Sequence, residues 1–163
     1  MLRPALLSAT LVVLLGSGMV MGQSPEAGIA DTINARRGLM NQLASIQTLI
    51  DARLAGSAYS AELYDLGQSA AASLEAFAVL FPVESNLLGG APAVEGAETT
   101  AAPAIWDDLP AFQKLLRDVA MQARTASEQG DLAGFQQEWD KVAQSCASCH
   151  EAHVFFDPFA AVN

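Results

Sequence analysis

Two cysteines and a histidine near the C-terminus are the residues of this chain best suited to chemistry. The run Cys146-Ala147-Ser148-Cys149-His150 has the form C-x-x-C-H, and its two thiols are the only cysteines among the 163 residues. Thiols at this spacing can add to the two vinyl groups of one haem as thioethers, and the histidine after the second thiol can ligate the iron. The run therefore predicts one covalent haem c per chain, anchored by Cys146 and Cys149, with His150 as an iron ligand.

Other uses of the two thiols fit the sequence less well. A thioredoxin-like C-x-x-C should open a helix after a strand of a βαβ unit, and the chain has no alternating pattern that indicates such a strand. A zinc site would need four ligands from one helical stretch, whereas structural zinc sites usually draw on two separated pairs. Those four ligands would be Cys146, Cys149, His150 and His153. A non-haem, metal-binding helical module remains the alternative to haem attachment.

The attachment run lies in the last of four predicted helices. Asp131 is expected to cap this helix, and apolar residues then recur in steps of three and four. They are Leu132, Phe135, Trp139, Val142, Cys146, Cys149 and His153. Because residues three and four apart share one face of a helix, both thiols and His150 should project to the same side.

Three further helical stretches precede this one. The first is expected from Ser24-Pro25-Glu26, a capping serine followed by proline, to about Leu54. Its apolar stripe includes Ile29, Ile33, Met40, Leu43, Ile46 and Ile50.

The second helix is expected from about Ser60 to Phe81-Pro82, followed by an irregular loop up to Pro103. The third is expected over residues 104–129, where Pro110 either kinks it or marks a start near Leu109. Together the four stretches predict an all-α, antiparallel four-helix bundle with the attachment run on its C-terminal helix.

The first 22 residues have the composition of an export signal. Arg3 supplies a positive charge, an apolar run follows, and small residues lead to a cleavage point near Gly22. Cleavage would leave residues 23–163 as a single haem domain in the periplasm, with no membrane span. The apolar run is shorter than the roughly 20 residues of a spanning helix, and an uncleaved anchor is the alternative.

The mature chain would be strongly acidic. Loss of Arg3 changes the net charge from −10 to −11. Such a charge repels nucleic acids and anionic lipids and favours redox partner proteins with basic docking surfaces. The apolar composition permits a homodimer without specifying one.

A C-terminal C-x-x-C-H on the last of four helices resembles the class II c-type cytochromes, which comprise cytochrome c′ and its low-spin, methionine-ligated relatives. Three further motifs are similar to those of this family and occur in the same order. They are Arg36-Arg37-Gly38-Leu39-Met40 in the first helix, Leu80-Phe81-Pro82 at the end of the second, and Ile105-Trp106 at the start of the third. The resemblance covers nearly the whole mature chain.

Carried over by position, the resemblance places Met40 on the far side of the iron from His150. In the low-spin members a methionine there binds the iron, whereas in the c′ members the residue shields a vacant sixth position. Arg36 precedes Met40 by one helical turn, and its guanidinium could pair with a haem propionate. A solvated charge on the bundle surface is the alternative for Arg36.

The chain departs from the family pattern after the haem histidine. Members commonly have an aromatic and then a basic residue three and four positions later, where this chain has His153 and Val154. We expect His153 to pack at the end of the bundle or to meet solvent, and contact with the iron or a haem propionate is the alternative.

These observations predict a periplasmic cytochrome that carries electrons through a His/Met-ligated haem and transforms no substrate. A methionine ligand suits electron transfer because it raises the reduction potential. The alternative function is that of a five-coordinate, cytochrome c′-like protein that binds nitric oxide or carbon monoxide.

Overall fold

The computed structural model describes residues 25–56 and 59–155, and these contain five helices. The helices are α1 (Pro25–Leu54), α2 (Ala61–Ala78), α3 (Ala104–Asp107), α4 (Leu109–Ser127) and α5 (Leu132–His153). The export signal, the Ser24 cap and the residues after Phe155 lie outside this part of the chain. No helix within it is long and apolar enough to cross a membrane.

The predicted four-helix bundle is confirmed, and it consists of α1, α2, α4 and α5. Helix α1 packs on α2, α2 on α4, and α4 on α5. The apolar stripes face inwards, and Phe135, Ile50 and Leu63 are completely buried. Burial of each such side chain contributes about 1.5–3 kcal/mol to folding.

Two of the predicted stripes are only half buried along part of their length. Met40 and Leu43 of α1, and Cys146 and Cys149 of α5, are less buried than Ile50 or Phe135. These four side chains line a cavity between the helices. The stripe therefore continues past the close-packed core and forms the cavity wall.

The region of the third predicted helix contains two helices. One turn, α3, ends at Asp107, and α4 begins at Leu109. Asp108 separates them with non-helical backbone angles (φ −143°, ψ 71°), and its side chain accepts a hydrogen bond from the Ala111 amide at 3.0 Å. Of the two possibilities for Pro110, the start near Leu109 is therefore correct, because the Asp108 cap ends one helix and opens the next.

The second helix ends at Ala78, earlier than predicted, because the chain turns there to bury Phe81. The Trp106 indole donates to the Phe81 and Pro82 carbonyls at 3.2 Å, which joins the two ends of the long loop. Within the loop, Val83–Ser85 and Leu87–Gly89 form single 3₁₀ turns.

Candidate haem site

A cavity of about 1000 Å³ lies between α1 and α5, with parts of α2, α4 and the long loop completing its wall. Its volume is at the upper end of the range for cofactor sites, about 300–1,000 Å³. All five residues predicted to hold or ligate haem line this cavity: Arg36, Met40, Cys146, Cys149 and His150.

The attachment residues occupy one wall of the cavity, near the C-terminal end of α5. Cys146 and Cys149 are half-buried free thiols, whereas His150 is exposed. Burial raises the pKa of the Cys146 thiol, and burial together with the neighbouring Cys146 raises that of Cys149 to about 11. Both thiols therefore remain protonated at neutral pH in the polypeptide.

The zinc alternative finds no support in this arrangement. Within residues 25–56 and 59–155, no three His, Cys, Asp or Glu side chains form a group that could hold a metal ion.

Arg36 lies in the cavity wall and is only 5 % exposed, so the alternative of a solvated surface charge is wrong, whereas pairing with a propionate stays a prediction. Its guanidinium carbon lies 4.7 Å from the centre of the Phe81 ring and 5.8 Å from that of Trp106. Both terminal nitrogens lack a hydrogen-bond partner. Burial lowers the pKa of Arg36 to about 10, so the side chain still carries its charge at neutral pH.

Met40 lies on α1 in the opposite wall and is half-buried. Between Arg36 and Gln47, the α1 residues that line the cavity are Arg37, Met40, Leu43 and Ala44. Helix α2 adds Ala70, Leu74 and Phe77 to the lining. Around Met40 the wall is therefore mainly apolar.

His153 also lines the cavity, although it was expected at the end of the bundle or in solvent. Its ring packs edge-on against Phe112, with the centroids 4.9 Å apart. The loop segment 98–102 holds the backbone of this part of α5. The Ala102 amide donates to the His153 carbonyl at 2.9 Å, and the Phe155 amide donates to the Thr100 carbonyl at 2.7 Å.

Two contacts that span the site have no signature in the sequence. The Trp139 indole donates to Gln47 Oε1 at 3.1 Å, which links α5 to α1. Arg37, next to Arg36, is exposed and donates to the Glu98 carbonyl. Trp139 belongs to the predicted apolar stripe of the last helix. No sequence pattern predicts a contact between residues 92 positions apart, as for Trp139 and Gln47, or 61 positions apart, as for Arg37 and Glu98.

The residues of the cavity fit a haem. Two thiols and an imidazole share one wall, and the cavity is lined mainly by apolar side chains. A buried, unpaired guanidinium is costly and calls for an anionic partner. A haem carboxylate would be such a partner for Arg36.

Comparison with known proteins gives the family. The family model described as Cytochrome C′ matches residues 31–153, which is most of the chain. The chain belongs to the cytochrome c′ family. It is 29% identical over 145 residues to a cytochrome c′ from Rhodopseudomonas palustris, covering 86% of this chain and 88% of that protein.

The fold agrees with this membership. The crystal structure of cytochrome c′ from Thermochromatium tepidum superposes with a TM-score of 0.60 at 22% identity, covering 78% of this chain and 97% of that one. Members of the cytochrome c′ family bind haem c covalently, so the predicted cofactor is confirmed. The individual roles of Met40, Arg36 and the attachment residues remain predictions.

Proposed function

We propose that this cytochrome c′ family member is a periplasmic protein that binds a small diatomic ligand, nitric oxide or carbon monoxide, and transforms no substrate. Cys146 and Cys149 would hold the haem by thioether bonds, and His150 would bind its iron from one side. The bound haem would supply an iron able to take a diatomic ligand and to exchange one electron reversibly. The partners we propose are redox proteins with basic docking surfaces.

The observation that carries the proposal is the apolar wall around Met40. Met40, Leu43 and Ala44 face the cavity on α1, and Leu74 faces it on α2. None of these side chains donates a hydrogen bond, so the wall disfavours water and anions. Neutral diatomic molecules need no donor and can be accommodated there. The likeness to a protein named cytochrome c′ from Rhodopseudomonas palustris supports this proposal over a His/Met-ligated electron carrier.

A second candidate function is electron transfer through a His/Met-ligated haem. Met40 favours it, because its flexible thioether lies in the cavity wall one helical turn after Arg36. The two candidates differ in whether the Met40 sulfur binds the iron.

The visible spectrum of the reduced protein separates the candidates. For gas binding we expect a high-spin spectrum that M40L leaves unchanged, with carbon monoxide binding rapidly to both proteins. A low-spin spectrum that M40L converts to high-spin would instead establish His/Met ligation. M121L is the matched control, because Met121 is 60% exposed on α4 and does not line the cavity.

A further inference from the structure

The haem cavity opens to solvent along a rim built from three segments. Apart from Ala44, the exposed residues of the cavity lining come from α1, the long loop and the C-terminal end of α5. They are Arg37, Glu98, Thr100, His150, Glu151 and Val154. Two hydrogen bonds hold the segments together, because Arg37 donates to the Glu98 carbonyl and the Phe155 amide donates to the Thr100 carbonyl.

Arg37 brings a positive charge to this rim. Arg36 and Arg37 are the two arginines of the cavity lining, which contains no lysine, and Arg36 is buried whereas Arg37 is exposed. The acidic residues of the lining are Glu98 and Glu151. A carboxylate that enters the cavity from solvent is therefore repelled by these two side chains and attracted by Arg37.

The guanidinium of Arg37 is fixed at the rim but is only partly used. Its Nη2 donates to the Glu98 carbonyl, which holds the side chain of α1 against the loop. A guanidinium has five N–H donors, and no carboxylate of the described residues forms an ion pair with Arg37. Donors therefore remain for an acceptor that reaches the mouth of the cavity.

The carboxylates of a haem belong at such a rim. A haem carries two propionates on one edge of an otherwise apolar ring. Burial of a carboxylate without a partner is costly, so the ring should enter the mainly apolar cavity while a propionate stays near water. Arginine can bind a carboxylate through two parallel hydrogen bonds. An exposed, fixed arginine at the mouth of the cavity meets both requirements.

We infer that Arg37 binds a propionate of the haem at the rim of the cavity. This inference rests on the proposed attachment of the haem in this cavity. Arg37 touches the carboxylate of the cofactor and not the iron. Its role is separate from the one predicted for Arg36, because Arg36 lies in the buried wall and Arg37 lies at the exposed rim.

Two variants of the holoprotein test the inference. R37M keeps an unbranched side chain but removes the charge and the N–H donors, whereas R37K keeps the charge without the planar fork. The resonance Raman bending band of the propionates reports their hydrogen bonds, and potentiometry reports the charge that the iron senses. We expect R37M to shift the band to lower frequency and to make the reduction potential more negative, because the propionate loses its cation. R37K should retain more of the wild-type potential.

R117M is the matched control, because Arg117 is exposed on α4 and does not line the cavity. It should leave the band at the wild-type position. An unchanged band in R37M would overturn the inference and would show that Arg37 only fastens the loop to α1. Equal band shifts in R37M and R117M would overturn it as well.

The same samples distinguish this inference from the proposed function. Covalent haem content is measured on each sample by mass spectrometry, so that the bands are compared with the haem in place. A low-spin spectrum of the reduced wild type would contradict gas binding, and the propionate band would still decide the role of Arg37. An unchanged band in a high-spin R37M protein would contradict the role of Arg37 alone.

Discussion

At the level of single residues, Arg36 is a charged side chain in an interior position. It is a charged group on an aromatic wall, buried without a hydrogen bond from its terminal nitrogens. Leaving one member of a buried ion pair alone costs about 3–5 kcal/mol. The apoprotein should therefore bear this cost, and the propionate of the bound cofactor should relieve it.

Replacing Arg36 should separate its charge from its packing. We expect R36M to destabilise the holoprotein by about 3–5 kcal/mol, since it leaves the propionate unpaired, and R36K to lose less. Chemical denaturation followed by circular dichroism measures this. R117M, at an exposed position of α4, should change stability by at most about 0.5 kcal/mol. Equal effects of R36M and R117M would refute the role of Arg36.

At the level of helices, Gly67 marks a close approach of α2 and α4. A Cβ atom on Gly67 would lie 2.8 Å from Ser127 Cβ and 3.1 Å from the Ala123 carbonyl oxygen. Both neighbours belong to α4, so the two backbones can approach only because residue 67 has no side chain.

Alanine at two glycine positions should have opposite effects. G67A should destabilise the protein by about 1–3 kcal/mol, because α4 must move to admit the methyl group. G38A should stabilise it by about 0.5–1 kcal/mol, because nothing lies within 4 Å and alanine favours the helix. Urea titrations measure both changes. A stabilising G67A would show that the helices are not in close contact there.

An ion pair also joins these two helices at the surface. The hydrogen bonds from Arg124 of α4 lower the pKa of the Glu75 carboxyl of α2. A carboxyl with a lowered pKa in the folded state stabilises the protein fully above its unfolded pKa, about 4.3. This contribution is lost as the pH falls through the lower, folded pKa.

E75Q should consequently reduce stability at pH 7 and reduce the further loss between pH 5 and pH 3. The midpoint of urea unfolding, measured at several pH values, tests this expectation. E84Q is the control, because Glu84 is exposed and forms no ion pair within the described residues. The effect should be small, since the Glu75 pair is also exposed. Superimposable acid profiles for E75Q and wild type would contradict it.

At the level of the whole molecule, the acidic charge should govern encounters with redox partners. The full chain carries a net charge of −10, and the haem propionates add to it. Opposite charges attract over about one Debye length, roughly 10 Å at 0.1 M salt. Partners with basic surfaces should therefore associate faster at low ionic strength.

Small redox reagents of opposite charge test this expectation. We expect the rate of electron exchange with hexaammineruthenium, a cation, to fall as salt is added, and the rate with ferricyanide, an anion, to rise. Stopped-flow absorbance of the haem measures both rates. The signs of the two slopes do not depend on the reduction potentials of the reagents. A rate with the cation that is independent of salt would contradict electrostatic attraction at the haem edge.

The sequence alone indicated the cofactor, the four long helices and five residues of the cavity lining, Arg36, Met40, Cys146, Cys149 and His150. The C-x-x-C-H spacing encodes haem attachment locally, and apolar periodicity encodes which face of each helix is inward. Pro110 indicated either a kink or a start near Leu109, and the Asp108 cap in the structure decided for the start. Such signals are local in the chain, so no tertiary contact is needed to read them.

Only the tertiary structure decided the surroundings of the predicted residues. Arg36 is buried on Phe81, a residue 45 positions away, and His153 lies against Phe112 in the same wall. Burial and unpaired nitrogens depend on which distant side chains arrive beside a group, and no periodicity records that. The C-x-x-C-H run thus predicts where the haem is attached, whereas the packing of four helices determines which groups meet its other edges.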